Sequence, residues 1–191
     1  MKFKIFMLFE CFFIVKPAIT CTCFPIESVS AKELMEEVEF VVIGRAVKNI
    51  GFNREVNSIW DQEKKGFDIL FEVDSVLKGD VKSEFLIVKQ FEGNCDQIFK
   101  FGVKYLVLGN ELERFVNLTP KQSNSRKREI PESYIPPPPP SIYSKILAIN
   151  NMSQKEVNFW NKKAKKNLIL RTSMCSSFTT NSNSARYFLK K

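Results

Sequence analysis

The stretch Cys21-Thr22-Cys23, followed by Phe24-Pro25-Ile26, constrains this chain more than any other, because it stands where a short apolar leader ends. The leader has a basic start (Lys2, Lys4) and an apolar run from Ile5 to Val15 that includes Glu10. Lys16-Pro17 breaks the run, and Ala18-Ile19-Thr20 follows with a small residue at each end. This is the layout of a secretory signal peptide over 1–20. A run of eleven residues is shorter than the ~20 a membrane span needs. Cleavage after Thr20 makes Cys21 the first residue of a secreted, extracellular chain. Its α-amine, its carbonyl and the Thr22 side chain are then fixed together beside a half-cystine. The alternatives are an uncleaved anchor and a lipoprotein in which Cys21 is acylated; acylation removes the free amine.

Cys11 leaves with the leader, and Cys21, Cys23, Cys95 and Cys175 remain. An even count in an exported chain predicts two disulfides. A Cys21–Cys23 bond would close a very tight ring against disulfide geometry. That leaves Cys21 and Cys23 to share Cys95 and Cys175 in either order, so the N-terminus is stapled to two distant parts of the chain. No histidine is present, and the spacing fits no common structural zinc motif.

The 171 residues after the leader suit one domain, or one domain with an appendage. Ser28 to Glu37 reads as a short helix with a capping-box pattern at Ser30 and Glu33. Its Leu34 and Met35, with Val38 beyond, are expected to face a core. Five strands are expected over Glu39–Ile50, Gly66–Leu77, Glu84–Phe91, Lys104–Gly109 and Leu112–Leu118. Gly44 inside the first marks a bulge or bend. Residues Gly51 to Lys65 are polar and read as a hairpin loop. In the second strand Phe67, Ile69, Phe71 and Val73 alternate with Asp68, Glu72 and Asp74, which places the acidic residues on a solvated face. Five short strands without βαβ rhythm predict a mainly β fold: a five-stranded, OB-fold-like antiparallel barrel with flanking α-helices, spanning 21–120.

Beyond the barrel the composition shifts. Residues 121–141 are basic and proline-rich, with Arg126-Lys127-Arg128 and the run Pro136 to Pro140, and read as a surface loop or stiff spacer. Helices are expected over Ile142–Asn150 and Ser153–Leu168, so that 142–175 closes onto the barrel; 176–191 reads as a polar tail. Asn117-Leu118-Thr119 and Asn151-Met152-Ser153 match the N-glycosylation pattern, making Asn117 and Asn151 possible acceptors.

The chain carries a formal net charge of +8, of which the leader holds two, leaving +6. Much of this lies in Arg126-Lys127-Arg128 and in Lys162-Lys163 and Lys165-Lys166. For a secreted chain, anionic matrix glycans are a better partner than nucleic acid, and solvated loop and helix faces are the plain alternative. Enzyme chemistry has little to stand on. Without histidine there is no Ser-His or Cys-His pair and no histidine metal site, and no glycine loop cradles phosphate. The chain is therefore expected to be neither an enzyme nor the holder of a cofactor of its own.

The start Cys-Thr-Cys-Phe-Pro at a predicted cleavage point resembles the mature start of the tissue inhibitors of metalloproteinases. Downstream, Phe40 to Ala46, Phe71-Glu72-Val73 with Leu77-Lys78-Gly79, Cys95, and Phe101-Gly102 with Tyr105-Leu106-Val107 are similar in order to the netrin-like module. The likeness runs from Cys21 to Leu118, with Cys175 as a closing half-cystine. The vertebrate inhibitors carry more cysteines and a second, disulfide-rich domain, and this chain has neither.

The resemblance implies an inhibitor of secreted zinc metalloendopeptidases. The amine and carbonyl of Cys21 would chelate the zinc of the target protease, and Thr22 would enter its specificity pocket. Cys23, Phe24 and Pro25 would lie along the cleft, and the Gly93-Asn94-Cys95 turn would form a second contact. It also implies the pairings Cys21–Cys95 and Cys23–Cys175. The alternative is a netrin-like extracellular module that keeps the barrel and binds matrix, glycan or protein without inhibiting a protease.

Overall fold

A computed structural model describes residues 31–90, 95–117, 145–149 and 152–189. In chain order the elements are α1 (Ala31–Glu37), β1 (Phe40–Asn49), α2 (Arg54–Gln62), β2 (Lys65–Gly66), β3 (Ile69–Lys78), β4 (Phe85–Lys89) and β5 (Phe99–Lys100), followed by β6 (Lys104–Glu111), β7 (Arg114–Asn117), β8 (Ile146–Ile149), α3 (Gln154–Ala164), β9 (Ile169–Arg171), β10 (Ser177–Thr179) and α4 (Asn183–Leu189).

Five strands close a barrel in the order β1-β3-β4-β9-β6, with β6 returning to β1. The fold is mainly β and OB-fold-like, with helices around the barrel. One pairing, β4 with β9, is parallel, so the barrel is mixed rather than wholly antiparallel. Two further corrections concern its last strand. Residues 114–117 do form a strand, but β7 leaves the barrel and pairs in parallel with β8. The fifth barrel strand comes from Ile169–Arg171 instead, so the barrel is incomplete at residue 120.

The strands' apolar runs follow from their surroundings. Val42, Ala46, Ile69, Phe71, Leu86, Val88, Tyr105, Val107 and Leu170 fill the barrel. The alternate residue Ile87 of β4, with Ile169, faces outward under α3 and packs with Phe115, Leu147, Val157 and Trp160. Leu106 and Leu108 of β6 face outward under α4 and meet Ala185 and Phe188. Strands covered on both faces lose the apolar-polar alternation, which is why 85–88 and 105–108 are continuously apolar.

Gly44 stands at a register shift in the β1–β3 ladder, as its position in the strand predicts. A Cβ there would lie 2.0 Å from the Glu72 carbonyl oxygen, so only glycine lets the two backbones approach this closely.

Outside the barrel the reading differs from the structure in three places. The expected loop 51–65 contains α2, capped by Asn53 Oδ1, which accepts from Glu55 N (3.1 Å) and Val56 N (3.2 Å). None of its residues is buried, although Val56, Ile59 and Trp60 at i, i+3 and i+4 form an apolar stripe from which Trp60 meets Phe67 edge to face. The expected helix 142–150 holds the strand β8; its short apolar run takes its conformation from pairing with β7. The expected polar tail carries β10, which adds to β6, and α4, whose Ala185 and Phe188 are buried. Helix α3 covers Gln154–Ala164 of the expected Ser153–Leu168, and Ser153 caps it, its Oγ accepting from Glu156 N at 3.2 Å. Met35 and Val38 pack against the third cluster, as expected for the first helix. No helix among the described residues is long and apolar enough to cross a membrane.

Candidate functional site at the Cys95 and Cys175 turns

Of the residues that carry the sequence reading, Cys21, Thr22, Cys23, Phe24, Pro25, Gly93, Asn94, Asn151 and the run Pro136 to Pro140 lie outside the described residues. Cys95 and Cys175 lie within them, and both are disulfide-bonded. Asn117 ends β7 and is exposed.

The turn that bears Cys175 interrupts one edge of β6. Strands β9 and β10 both pair antiparallel with the same side of β6, at Asn110–Glu111 and at Tyr105–Val107. Residues 172–176 loop out between them. Small hydroxyl residues make that excursion possible, since they satisfy backbone groups that the ladder no longer reaches. Thr172 Oγ1 donates to the Leu108 carbonyl at 3.1 Å and meets Ser176 Oγ at 2.9 Å. Ser173 N donates to Ser176 Oγ at 3.0 Å, and Ser177 Oγ donates to the Ser173 carbonyl at 2.7 Å. Leu108 N donates to the Ser176 carbonyl at 2.8 Å, so the turn returns to the strand it left.

Cys95 is brought to this turn by a backbone bond: Met174 N donates to the Cys95 carbonyl at 2.9 Å. Two half-cystines 80 positions apart in sequence thus sit on adjoining turns. Any segment with two cysteines one residue apart that bonded to both would be held at two points of a single corner of the barrel. Met174, between them, is exposed.

The base of the Cys95 loop is closed by Gln90, which is 1% exposed. Its Nε2 donates to the Phe67 carbonyl at 2.9 Å and to the Gln97 carbonyl at 2.6 Å. Its Oε1 accepts from Gln97 N. One amide side chain therefore imitates a strand neighbour and pinches the two ends of the loop together. Gln90 N in turn donates to Asp68 Oδ1 at 3.1 Å, and Asp68 Oδ2 accepts from Lys89 Nζ at 2.7 Å. Lys89 is fully buried and lies 5.0 Å from the centre of the Trp160 ring. The loop is thus anchored through Gln90 and Asp68 to the packed interface under α3.

This corrects the reading of Asp68 as a solvated strand residue, since it is the counter-ion of a buried lysine. Glu72 and Asp74 do stay near the surface, paired with Arg45 and Lys104. The hydrogen bond from Lys104 holds the Asp74 carboxyl below the usual carboxylate range. Arg171, at the end of β9 on the approach to Cys175, is pulled down to about 10 by burial. Inside the barrel, burial pushes the Tyr105 phenol up; its oxygen accepts from Lys100 N at 2.8 Å.

Gln90 had no sequence signal, because a glutamine inside the expected strand Glu84–Phe91 reads as an ordinary polar strand position; β4 ends at Lys89. Gln90→Ala is expected to lose about 2–3 kcal/mol, since it leaves buried backbone groups of Gln97 and Phe67 unpaired. Urea unfolding measures the loss, and amide exchange at Gln97 should accelerate more than exchange in β1.

Among the described residues no group of three or more His, Cys, Asp or Glu side chains could hold a metal ion. No family model and no curated protein matches this chain.

Proposed function

We propose that the protein is a secreted inhibitor of zinc metalloendopeptidases that acts through its processed N-terminus. The observation that carries the reading is the single corner shared by the half-cystines Cys95 and Cys175, joined by the Met174–Cys95 backbone bond of 2.9 Å. A chain that begins Cys21-Thr22-Cys23 needs such a corner if its first residues are to form a rigid wedge. A catalytic zinc keeps one coordination position open for water. In this reading the Cys21 amine and carbonyl take that position on the target's zinc, and Thr22 enters the adjoining specificity pocket. A free α-amine has an ordinary pKa near 8, and metal binding favours its unprotonated form. Two disulfides at the wedge and the Gln90 clamp under the Cys95 loop order the contact surface before association, which lowers the cost of binding. The Gly93-Asn94-Cys95 turn is the second contact.

The test is inhibition of a panel of secreted zinc endopeptidases by the processed, oxidised protein. Replacing Thr22 by a larger side chain is expected to change the ranking of the enzymes by about 10–100-fold, as a pocket contact should. A uniform effect across the panel would place Thr22 outside the pocket.

A second reading rests on α3. The ion pairs among the described residues use Arg45, Lys65, Lys82, Lys89, Lys104 and Lys145. They leave out Lys162, Lys163, Lys165 and Lys166. In this reading the protein is a netrin-like extracellular module whose basic helix end binds anionic matrix glycans. Salt-sensitive retention on a sulfated-glycan column, lost when the four lysines become alanine, is its expected signature.

A further inference from the structure

Helix α2 is unusual in this fold, because it is amphipathic and yet has no buried residue. Asn53, Val56, Asn57 and Trp60 stand at i, i+3, i+4 and i+7, so they share one face. That face opens on a cavity of about 370 Å³, within the range of about 300–1,000 Å³ that ligand pockets occupy. The other walls are Phe52 before α2, Phe67 and Asp68 before β3, Gln90 and Asp96 at the base of the Cys95 loop, and Glu156 in the first turn of α3.

The walls are held by contacts within the chain. Trp60 and Phe67 meet edge to face with ring centres 5.2 Å apart, and Phe52 rests on Phe159 of α3 at 5.7 Å. Asn53 Oδ1 caps α2, and Asn57 Nδ2 donates to the Gly51 carbonyl at 2.7 Å. These bonds leave Asn53 Nδ2 and the Trp60 indole N–H as donors and Asn57 Oδ1 as an acceptor, none with a partner among the described residues. Asp68 accepts from Lys89 Nζ and Gln90 N, and a carboxylate has about four acceptor sites, so it keeps room for a hydroxyl. A site ordered in advance lowers the cost of binding.

Charge does not select the ligand. In a chain with 29 lysines and arginines, none lines this cavity, so nothing there holds an anion. Lys89 already balances Asp68, and Asp96 and Glu156 are both engaged within the chain, so no lone carboxylate calls for a cation. What remains is aromatic surface with donors and acceptors beside it. A sugar ring matches this set. Its C–H bonds meet the negative faces of aromatic rings, and its hydroxyls both donate and accept. A proline-rich peptide matches less well, since prolines offer carbonyls but no N–H to Asn57 and Asp68.

We propose that this cavity binds an uncharged sugar ring. The site uses neither Cys21 nor the lysines at the end of α3, so its fate is independent of both readings above.

NMR titration of the isotope-labelled, processed and oxidised protein tests it. The probes are the methyl glycosides of glucose, galactose, mannose and N-acetylglucosamine, with cyclohexanol and a capped pentaproline peptide beside them. At least one glycoside should saturably shift the Trp60 indole N–H and the Asn53 and Asn57 side-chain amides, and leave the indole of buried Trp160 unmoved. Its affinity should be the same at low and high salt, because no charge is paired on binding. Cyclohexanol, a ring with a single hydroxyl, should bind at least about tenfold more weakly, and Trp60→Leu should weaken the glycoside by a similar factor at an unchanged melting temperature. Should that variant fail to fold, the comparison with cyclohexanol on the wild type decides. The proposal is overturned if no glycoside gives saturable shifts, if cyclohexanol binds as tightly, or if high salt abolishes binding. Tighter binding of pentaproline at the same signals also overturns it and assigns the site to an extended peptide.

Discussion

Asp68→Ala is expected to destabilise the protein by about 3–5 kcal/mol, the range for removing one partner of a buried ion pair. The cost comes from Lys89. That residue is 1% exposed, its Nζ is 2.7 Å from Asp68 Oδ2, and the Trp160 ring closes over it at 5.0 Å. Without Asp68 the ammonium keeps the ring contact and loses its counter-charge. The substitution also removes the acceptor of Gln90 N, and so loosens the clamp that closes the Cys95 loop. Lys89→Met keeps most of the stem's packing and removes the charge. Asp68 is then left with its bond from Gln90 and with partial access to water, so the loss should be about 1–2 kcal/mol. The double variant Lys89→Met with Asp68→Asn should be more stable than Asp68→Ala by about 2 kcal/mol, since no buried charge is left alone. Urea unfolding of the three variants measures these differences. A loss below about 1 kcal/mol for Asp68→Ala would mean that Lys89 finds water or another partner.

How much of this was legible in the sequence depended on how local each feature is. The first four barrel strands are marked by their own residues, such as Phe40 to Asn49 with its glycine at the bulge, and Phe85 to Val88 and Tyr105 to Leu108 with their apolar runs. The fifth is only Ile169–Arg171, three residues with no readable period. It is a strand because β4 and β6 flank it, and those lie some 60 to 80 positions earlier. Residues 114–117 read as a strand more clearly, yet they pair with β8 outside the barrel. The last sixteen residues look polar. The structure of 176–189 rests on a few apolar contacts, above all Phe178 stacked on Phe188 at 5.6 Å. Helix α2 escaped notice although Val56, Ile59 and Trp60 stand at helical spacing, because the polar residues around them dominate the segment.

The candidate site divides in the same way. Cysteine chemistry is visible in any sequence, and Cys95 and Cys175 are both half-cystines in the structure. What holds their turns is not visible. Gln90 works only because Gln97 returns to it, and Asp68 only because β4 brings Lys89 beside it. The pattern of alternating acidic and apolar residues gives the same signal for a solvated carboxylate and for the counter-ion of a buried lysine.

The central claim is that the first residue of the processed chain meets the target's zinc. Its sharpest consequence is the effect of one added residue. An alanine placed before Cys21 moves the free amine by up to about 3.8 Å, one Cα step, and turns the Cys21 nitrogen into an amide with no lone pair to give a metal. The disulfides, the barrel and the Cys95 loop are untouched, so stability should not change. The measurement is the inhibition constant of the processed protein and of its alanine-extended form against the same zinc endopeptidase, at matched melting temperature and with both disulfides verified. The account predicts that the processed form inhibits and that the extended form is weaker by about 1,000-fold or more, equivalent to about 4 kcal/mol of binding. Equal potency of the two forms, or no inhibition by the processed form against any enzyme of the panel, would contradict it.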